Sequence, residues 1–288
     1  MKKKQFQDVI GHPVHGFGLM PDPPGTVYRT FAHHPASRLL KSASPLPRES
    51  HNVLYAPPVW NQGGTSSCVG HGFACQVTTT LACLGRPLPS PAVPRTIYAL
   101  SRSVSRADPS TPLVDSGASP AAGAAALGRW GIVLESEDDE GLTAESPEYC
   151  DHLEAHVNDE LTLDEVEIGS DRTVVGFNSI PDDSPDKLPQ YQASLASGHP
   201  ISTAVDAGCD KFQAYDGSGG PLDYCGDEPD HFVCVLDYRI EDDGSVLFLL
   251  QNSWGTELWT PGGRAWVTSE FVRRGCFGSL VANLESTP

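Results

Sequence analysis

Cys68 follows a glycine- and serine-rich turn, NQGGTSS, and opens a run in which Val69, Phe73, Val77, Leu81 and Leu84 recur at helical spacing. A cysteine there sits at a helix N-terminus, where the dipole and the first amides stabilise a thiolate, the form in which sulfur attacks. Such a nucleophile needs a base, and the base needs a third group to orient it. PDHFVCVLDY sets His231 at the mouth of a buried strand, and QNSWG sets Asn252 at the end of the next. Asp243-Gly244 between them is a hairpin signal, so two antiparallel strands would present imidazole and amide side by side. His71 is a rival base, three residues after Cys68 on one helix face, but it has no evident orienting partner.

The elements that must hold these groups follow from periodicity. The helix begins near Ser67, with Ser66 or Ser67 as cap, and Gly85 followed by Pro87 stops it. Gly70 and Gly72 lower its propensity, which implies a neighbour too close for side chains. Further helices are expected at 94–104 and from Pro120 to Gly131. After Thr173 the pattern turns to strands, at 201–206, 231–238, 246–251 and 264–268. Helices first and strands afterwards indicate an α+β fold. Residues 1–50 are rich in proline and have no sustained period, so they read as an extended arm. Residues 130–171 contain no Lys or Arg and include Glu135, Glu137, Asp138, Asp139 and Glu140. They read as a solvated acidic surface, since a calcium loop would need EF-hand spacing and its glycine.

The net charge of −18 argues against a nucleic-acid partner. Residues 1–44 carry +4, leaving −22 on the remainder, a basic leader on an acidic body. No run of 18 apolar residues exists to span a membrane. Lys2, Lys3 and Lys4 are not followed by an apolar segment, so classical secretion is not expected and a cytoplasmic or non-classically exported protein is. The eight cysteines form no CxxC pair, and Cys75 and Cys234 sit in apolar runs as small buried hydrophobes. His12, His15, His33 and His34 are explained by the polarity of the arm as well as by a metal, and no metal or cofactor is expected.

NQGGTSSCVGHGFA, DHFVCVLDY and QNSWGT, in the order Cys, His, Asn, resemble the papain-like cysteine peptidases, in particular shorter bacterial-type members. The resemblance covers roughly residues 46–284, beginning at SPLPRESHNVLYAPPVWNQGG. It implies a two-lobed fold: an N-terminal extension at 1–45 as a candidate inhibitory pro-segment, a helical lobe at 46–172 with Cys68, and a β-rich lobe at 173–288 with His231 and Asn252. It implies hydrolysis of peptide bonds by the Cys68 thiolate, with His231 as base and Asn252 holding it under Trp254. Gln62 then corresponds to the family's oxyanion-hole glutamine, and Gly117, Ala118, Ala204, Asp230 and Phe232 to substrate-binding walls, the last two as a groove carboxylate and an apolar wall. The implied partners are peptides or proteins, with the chain's own N-terminal arm in the groove as an inhibitory strap. The departures are Thr65 and Val69, where the family's signature has a cysteine and an aromatic residue, a longer stretch between Cys68 and His231, and Leu258 where the family has a second groove tryptophan, with Trp259 following. An acyltransferase or deamidase would use the same three residues, and a non-catalytic binding protein on this scaffold is the reading from another class.

Overall fold

The computed structural model describes residues 17–42, 44–108, 110–137, 142–143 and 145–284, without the side chains of Leu163 and Glu165. Lys2, Lys3, Lys4, His12, His15, Asp138, Asp139 and Glu140 lie outside the described residues. A short strand β1 (Arg29–Thr30) precedes a helical half made of α1 (Cys68–Cys83), α2 (Pro94–Ser105), α3 (Pro120–Trp130), α4 (Tyr149–His156) and α5 (Leu163–Ile168). Then come β2 (Gly176–Ile180), α6 (Lys187–Ala196), β3 (Ile201–Val205), α7 (Asp210–Gln213), β4 (His231–Ile240), β5 (Val246–Gln251), β6 (Arg264–Thr268), α8 (Ser269–Gly275) and β7 (Phe277–Asn283). Among the described residues the strands form one seven-stranded sheet in the order β1-β2-β7-β3-β4-β5-β6. Every pairing is antiparallel except β1 with β2. No described helix is long and apolar enough to cross a membrane.

The long apolar run of β4 is explained by burial on both faces. Phe232, Cys234 and Leu236 belong to one hydrophobic cluster with α1, while Val233 and Val235 belong to a second cluster on the opposite face. That is the two-residue alternation of a strand. The register slips between Val235 and Asp237, and beyond this bulge Tyr238 joins the second cluster. The hairpin to β5 turns at Gly244, whose φ of 84° suits a glycine, with Asp243 Oδ1 accepting the Ser245 N–H at 2.9 Å.

Helix α1 is buried all round, not along one stripe as its spacing suggested. A Cβ on Gly70 would lie 2.3 Å from the Pro94 carbonyl oxygen of α2, and one on Gly72 would lie 2.7 Å from the Phe232 ring of β4. The two glycines let helix and sheet close on α1 from both sides. Its polar residues are bonded inward: Gln76 Nε2 donates to Pro200 O and Leu280 O at 2.9 and 2.7 Å, tying the helix to the sheet. Ser67 occupies the N-cap position but does not cap; its hydroxyl is bonded to Thr65 Oγ1 and His71 Nδ1 instead.

The N-terminal stretch is more built than an extended arm. Phe31–His33 and Pro35–Lys41 are 3-10 helices, and Phe31 and Ala36 are buried in the second cluster. These pieces are too short for an α-helical period to register. The acidic segment is likewise not all solvated. Glu135 is buried and accepts the Trp60 indole N–H at 3.0 Å, and Glu137 is paired with Arg172. Gly70→Ala should destabilise the protein by about 1–3 kcal/mol through overpacking, while Gly219→Ala, in open space, should be near neutral. Denaturant midpoints of the two variants check this.

Candidate active site

Cys68 is the first residue of α1, His231 the first of β4, and Asn252 follows the last residue of β5. All three are buried. Asn252 Oδ1 accepts the Ser253 backbone N–H at 2.7 Å and lies 2.8 Å from His231 Nε2. Since Oδ1 is already an acceptor, Nε2 must carry the hydrogen, and in the neutral ring Nδ1 is then the basic nitrogen. Trp254 covers the pair, its ring tilted against His231 with centroids 5.0 Å apart. Phe212 of α7 packs edge-on against Trp254 at 5.6 Å and stacks on Trp259 at 4.8 Å. The loop carrying Phe212 is closed by a Cys209–Cys225 disulfide.

The Cys68 sulfur lies beside the start of β4. Backbone hydrogen bonds from Gly18, Phe232 and Val69 each pull its pKa down, yet burial outweighs them and pushes it up to about 12. Helix-terminal stabilisation is therefore present but does not win in this covered state. Gln62 connects the two halves: its N–H donates to Ser253 O at 2.8 Å, its Oε1 accepts the Ser253 hydroxyl at 2.6 Å, and its Nε2 donates to Thr65 O at 2.8 Å. His71 points elsewhere. Its Nδ1 lies 3.0 Å from Ser67 O, its Nε2 3.2 Å from the Tyr149 hydroxyl, and burial lowers its pKa to about 4.

The N-terminal stretch runs over this site. Phe17 packs edge-on against His231 and Trp254, at 6.4 and 6.0 Å between centroids. Ala118 N–H donates to Gly18 O at 2.9 Å, Met20 N–H to Ala118 O at 2.9 Å, and Leu19 N–H to Asp230 O at 3.2 Å. The bridge between Leu19 and Ala118 is parallel. Leu19 packs on the first cluster, which includes Ala118, Ala204 and Phe232. Gly117 has a φ of 89°, and a Cβ there would lie 2.2 Å from Gly18 O.

Two of the expected walls behave differently from the expectation. The Phe232 ring lies inside, 5.1 Å from Phe73 between centroids and against Gly72, so its backbone faces the sulfur while its ring fills the core. The Asp230 side chain is not a solvated groove carboxylate: Oδ1 accepts the Ala207 N–H at 2.9 Å, and the groove receives its backbone carbonyl. The sequence marked Ser253 only as part of QNSWG and the N-terminal arm only as a whole; the residues Phe17 to Met20 were not singled out, although apolar residues flanking Gly18 in a polar leader were an available signal. His33 and His34 have partners within the fold, Thr30 Oγ1 for the first and Ala36 N and Ala282 O for the second.

The family model described as papain family cysteine protease matches residues 137–270, which include His231 and Asn252. Cysteine endopeptidase Rep1 of Oryza sativa subsp. japonica is 36% identical over 88 residues, covering 31% of this chain and 22% of that protein. Cathepsin L of Sarcophaga peregrina is 31% identical over 101 residues, covering 35% and 28%. The matched part thus spans about a quarter of these curated relatives. Among solved structures, xylellain, a cysteine protease from Xylella fastidiosa, superposes with a TM-score of 0.68 at 17% identity over 94% of this chain and 97% of that one. Digestive procathepsin L 3 of Tenebrio molitor larval midgut gives 0.63 at 21% identity over 85% and 72%. Over residues 137–270 the chain is thus similar to the papain-like cysteine peptidases. Its fold is the papain-like α+β fold, helices on one side and a sheet on the other.

The departures of this papain-like chain have structural counterparts. Thr65, where the family signature has a cysteine, donates its hydroxyl to Gln62 O at 2.7 Å and so shapes the Gln62 turn. Val69 is wholly buried in the first cluster. Leu258 is 40% exposed, whereas Trp259 turns inward onto Phe212. Burial is also the largest cause raising the Asp230 carboxyl from 3.8 to about 6. Its folded pKa is above the unfolded one, so the stability it contributes is full below 3.8 and is lost as pH rises through about 6. The melting temperature of Asp230→Asn relative to wild type should therefore increase between about pH 4 and about pH 7. A difference that stays constant across that range would show an unperturbed carboxyl.

Proposed function

We propose that the chain is a cysteine peptidase that hydrolyses peptide bonds, with Cys68 as nucleophile, His231 as base and Asn252 as its orienting partner. The observation that carries the reading is the Asn252–His231 bond, which assigns the basic nitrogen to Nδ1. In the ion-paired form the Cys68 sulfur attacks the carbonyl carbon and the carbonyl oxygen takes the negative charge. The Gln62 amide and the Cys68 N–H are the donors assigned to that oxyanion. His231 gives its proton to the departing amine, leaving a thioester on Cys68. Water, deprotonated by His231, attacks the thioester, and the carboxylic acid leaves as sulfur recovers its electron pair. The backbone of Ala118, the carbonyl of Asp230 and the apolar surface that includes Ala204 are the peptide-binding parts, a reading supported by the way Leu19 engages them.

Cys68→Ala should abolish hydrolysis of peptides with Leu, Val or Phe as the second residue upstream of the cut. Gln62→Ala should lower kcat/KM by roughly 10²–10³, as removal of one oxyanion donor does. Asn252→Ala should be milder than His231→Ala, and His71→Ala milder than either unless it unfolds the chain. Hydrolysis that survives Cys68→Ala would sink the assignment.

The same reading makes the segment Phe17 to Met20 an inhibitory strap, so the full chain is a self-covered form. A Cβ on Gly18 would lie 1.8 Å from the Ser66 carbonyl oxygen, and the strap would have to lift to accommodate it. Overpacking of about 1–3 kcal/mol corresponds to roughly 5- to 150-fold in the uncovered population. Gly18→Ala should accordingly raise turnover of a small peptide by about fivefold or more. The accompanying signature is faster alkylation of Cys68 at neutral pH. Unchanged or lower rates would remove the inhibitory role.

A further inference from the structure

Gly18 lies between two walls, the Ser66 carbonyl on one side and Gly117 with Ala118 on the other. A relay of hydrogen bonds sets the distance between those walls. The Asp115 carboxylate accepts the Ser66 N–H, at 2.9 Å on Oδ1 and 3.1 Å on Oδ2. Oδ1 also accepts the Tyr98 hydroxyl at 2.7 Å, and that hydroxyl oxygen accepts the Gly117 N–H at 2.9 Å. One end of the relay is two residues from Cys68, and the other is adjacent to Ala118, whose N–H donates to Gly18 O and whose carbonyl accepts the Met20 N–H.

The relay is anchored. Tyr98 is wholly buried on α2. Burial and the neighbouring carboxylate hold its hydroxyl well above the usual phenol range, so it stays a donor to Asp115. The Arg102 guanidinium lies 4.0 Å from the Tyr98 ring centroid and donates to Val114 O at 3.0 Å, which holds the segment just before Asp115 to the same helix. Helix α2 in turn abuts α1 where Gly70 leaves no room for a Cβ. Nothing in the Cys68, His231 and Asn252 arrangement requires an acid and a phenol at these positions; the spacing of the two walls does.

We propose that Asp115 and Tyr98 are positioning residues for the peptidase reaction, holding the backbone that leads into Cys68 and the strand at Gly117 and Ala118 one extended peptide apart. The proposal rests on the peptidase reading above. With the relay intact, a peptide bonded to Ala118 presents its carbonyl at attacking distance from the sulfur. With it broken, the peptide still binds but the carbonyl is displaced, and a displacement of about 1 Å costs on the order of 10²-fold in rate.

The test uses the full chain and two reagents for Cys68, with labelling mapped by mass spectrometry. Iodoacetamide needs only the sulfur, whereas a Leu-containing peptidyl epoxide needs the sulfur and the strand together. Opening of the strap enters both rates equally, so their ratio is the readout. Asp115→Ala should lower the epoxide-to-iodoacetamide ratio by about 10- to 100-fold. Tyr98→Phe, which keeps the ring volume, should lower it by at least about threefold, because both bonds of the hydroxyl are lost, the one to Asp115 and the one from the Gly117 N–H. Asp115→Asn keeps an Oδ1 for both Ser66 N–H and the Tyr98 hydroxyl, and should return the ratio to within about threefold of wild type. If Asp115→Ala does not fold, Tyr98→Phe and Asp115→Asn decide the matter. Wild-type labelling at Cys68 with an unchanged ratio in the variants overturns this proposal alone. Wild-type labelling at another cysteine overturns the peptidase reading and this proposal with it.

Discussion

A helix buried on every side, α1, is the constraint on which the rest of the structure depends. Helix α2 meets it at Gly70, β4 meets it at Gly72, and Gly123 of α3 has no room for a Cβ because the Phe73 ring of α1 lies 2.5 Å from where it would be. Apolar packing at this closeness is sensitive to a single methylene. The helix has no solvent face, so its buried polar groups must find partners inside, and the bonds from Gln76 to Pro200 and Leu280 fasten it to the sheet. Its N-terminus then emerges where the helices and the sheet meet. That single placement brings Cys68 to the start of β4, next to His231.

Across the same seam, hydrogen bonds rather than apolar contacts supply direction. Ser253 serves three groups: its N–H orients the Asn252 amide, its carbonyl receives Gln62 N–H, and its hydroxyl holds Gln62 Oε1. Asn252 and Gln62 are thereby fixed relative to each other although they lie on different halves of the molecule. The segment from Phe17 to Met20 adds desolvation. Three backbone donors lower the Cys68 pKa, but enclosure by this segment and the core raises it further, and the larger effect decides. Displacing the segment would admit water to the sulfur while leaving the Val69 and Phe232 donors in place. Covering is therefore electrostatic as well as steric.

Much of this arrangement was legible in the chain. Helix α1, the strands β5 and β6, and the places of Cys68, His231 and Asn252 along them all follow from signals confined to a few residues: a glycine- and serine-rich turn, a period, a hairpin glycine. The strands β2 and β7 and the helix α6 were not seen. Strand β7 pairs with β2 and β3 and is buried on both faces, so it lacks the alternation that marks a half-exposed strand. Glu135 looked like one more surface acid because its partner, Trp60, is 75 residues away.

By itself the sequence determined which residues could do chemistry and in what order the elements that carry them appear, because caps, periods and turns depend on neighbours along the chain. Only the tertiary structure decided the path of Phe17 to Met20 over the sulfur, the inward turn of the Asp230 carboxylate and the Asp115–Tyr98 relay between the walls. These depend on hydrogen bonds and burial between segments far apart in the chain. A pairing such as Leu19 with Ala118 leaves no period in either stretch, since what selects it is distance in space and the water it excludes.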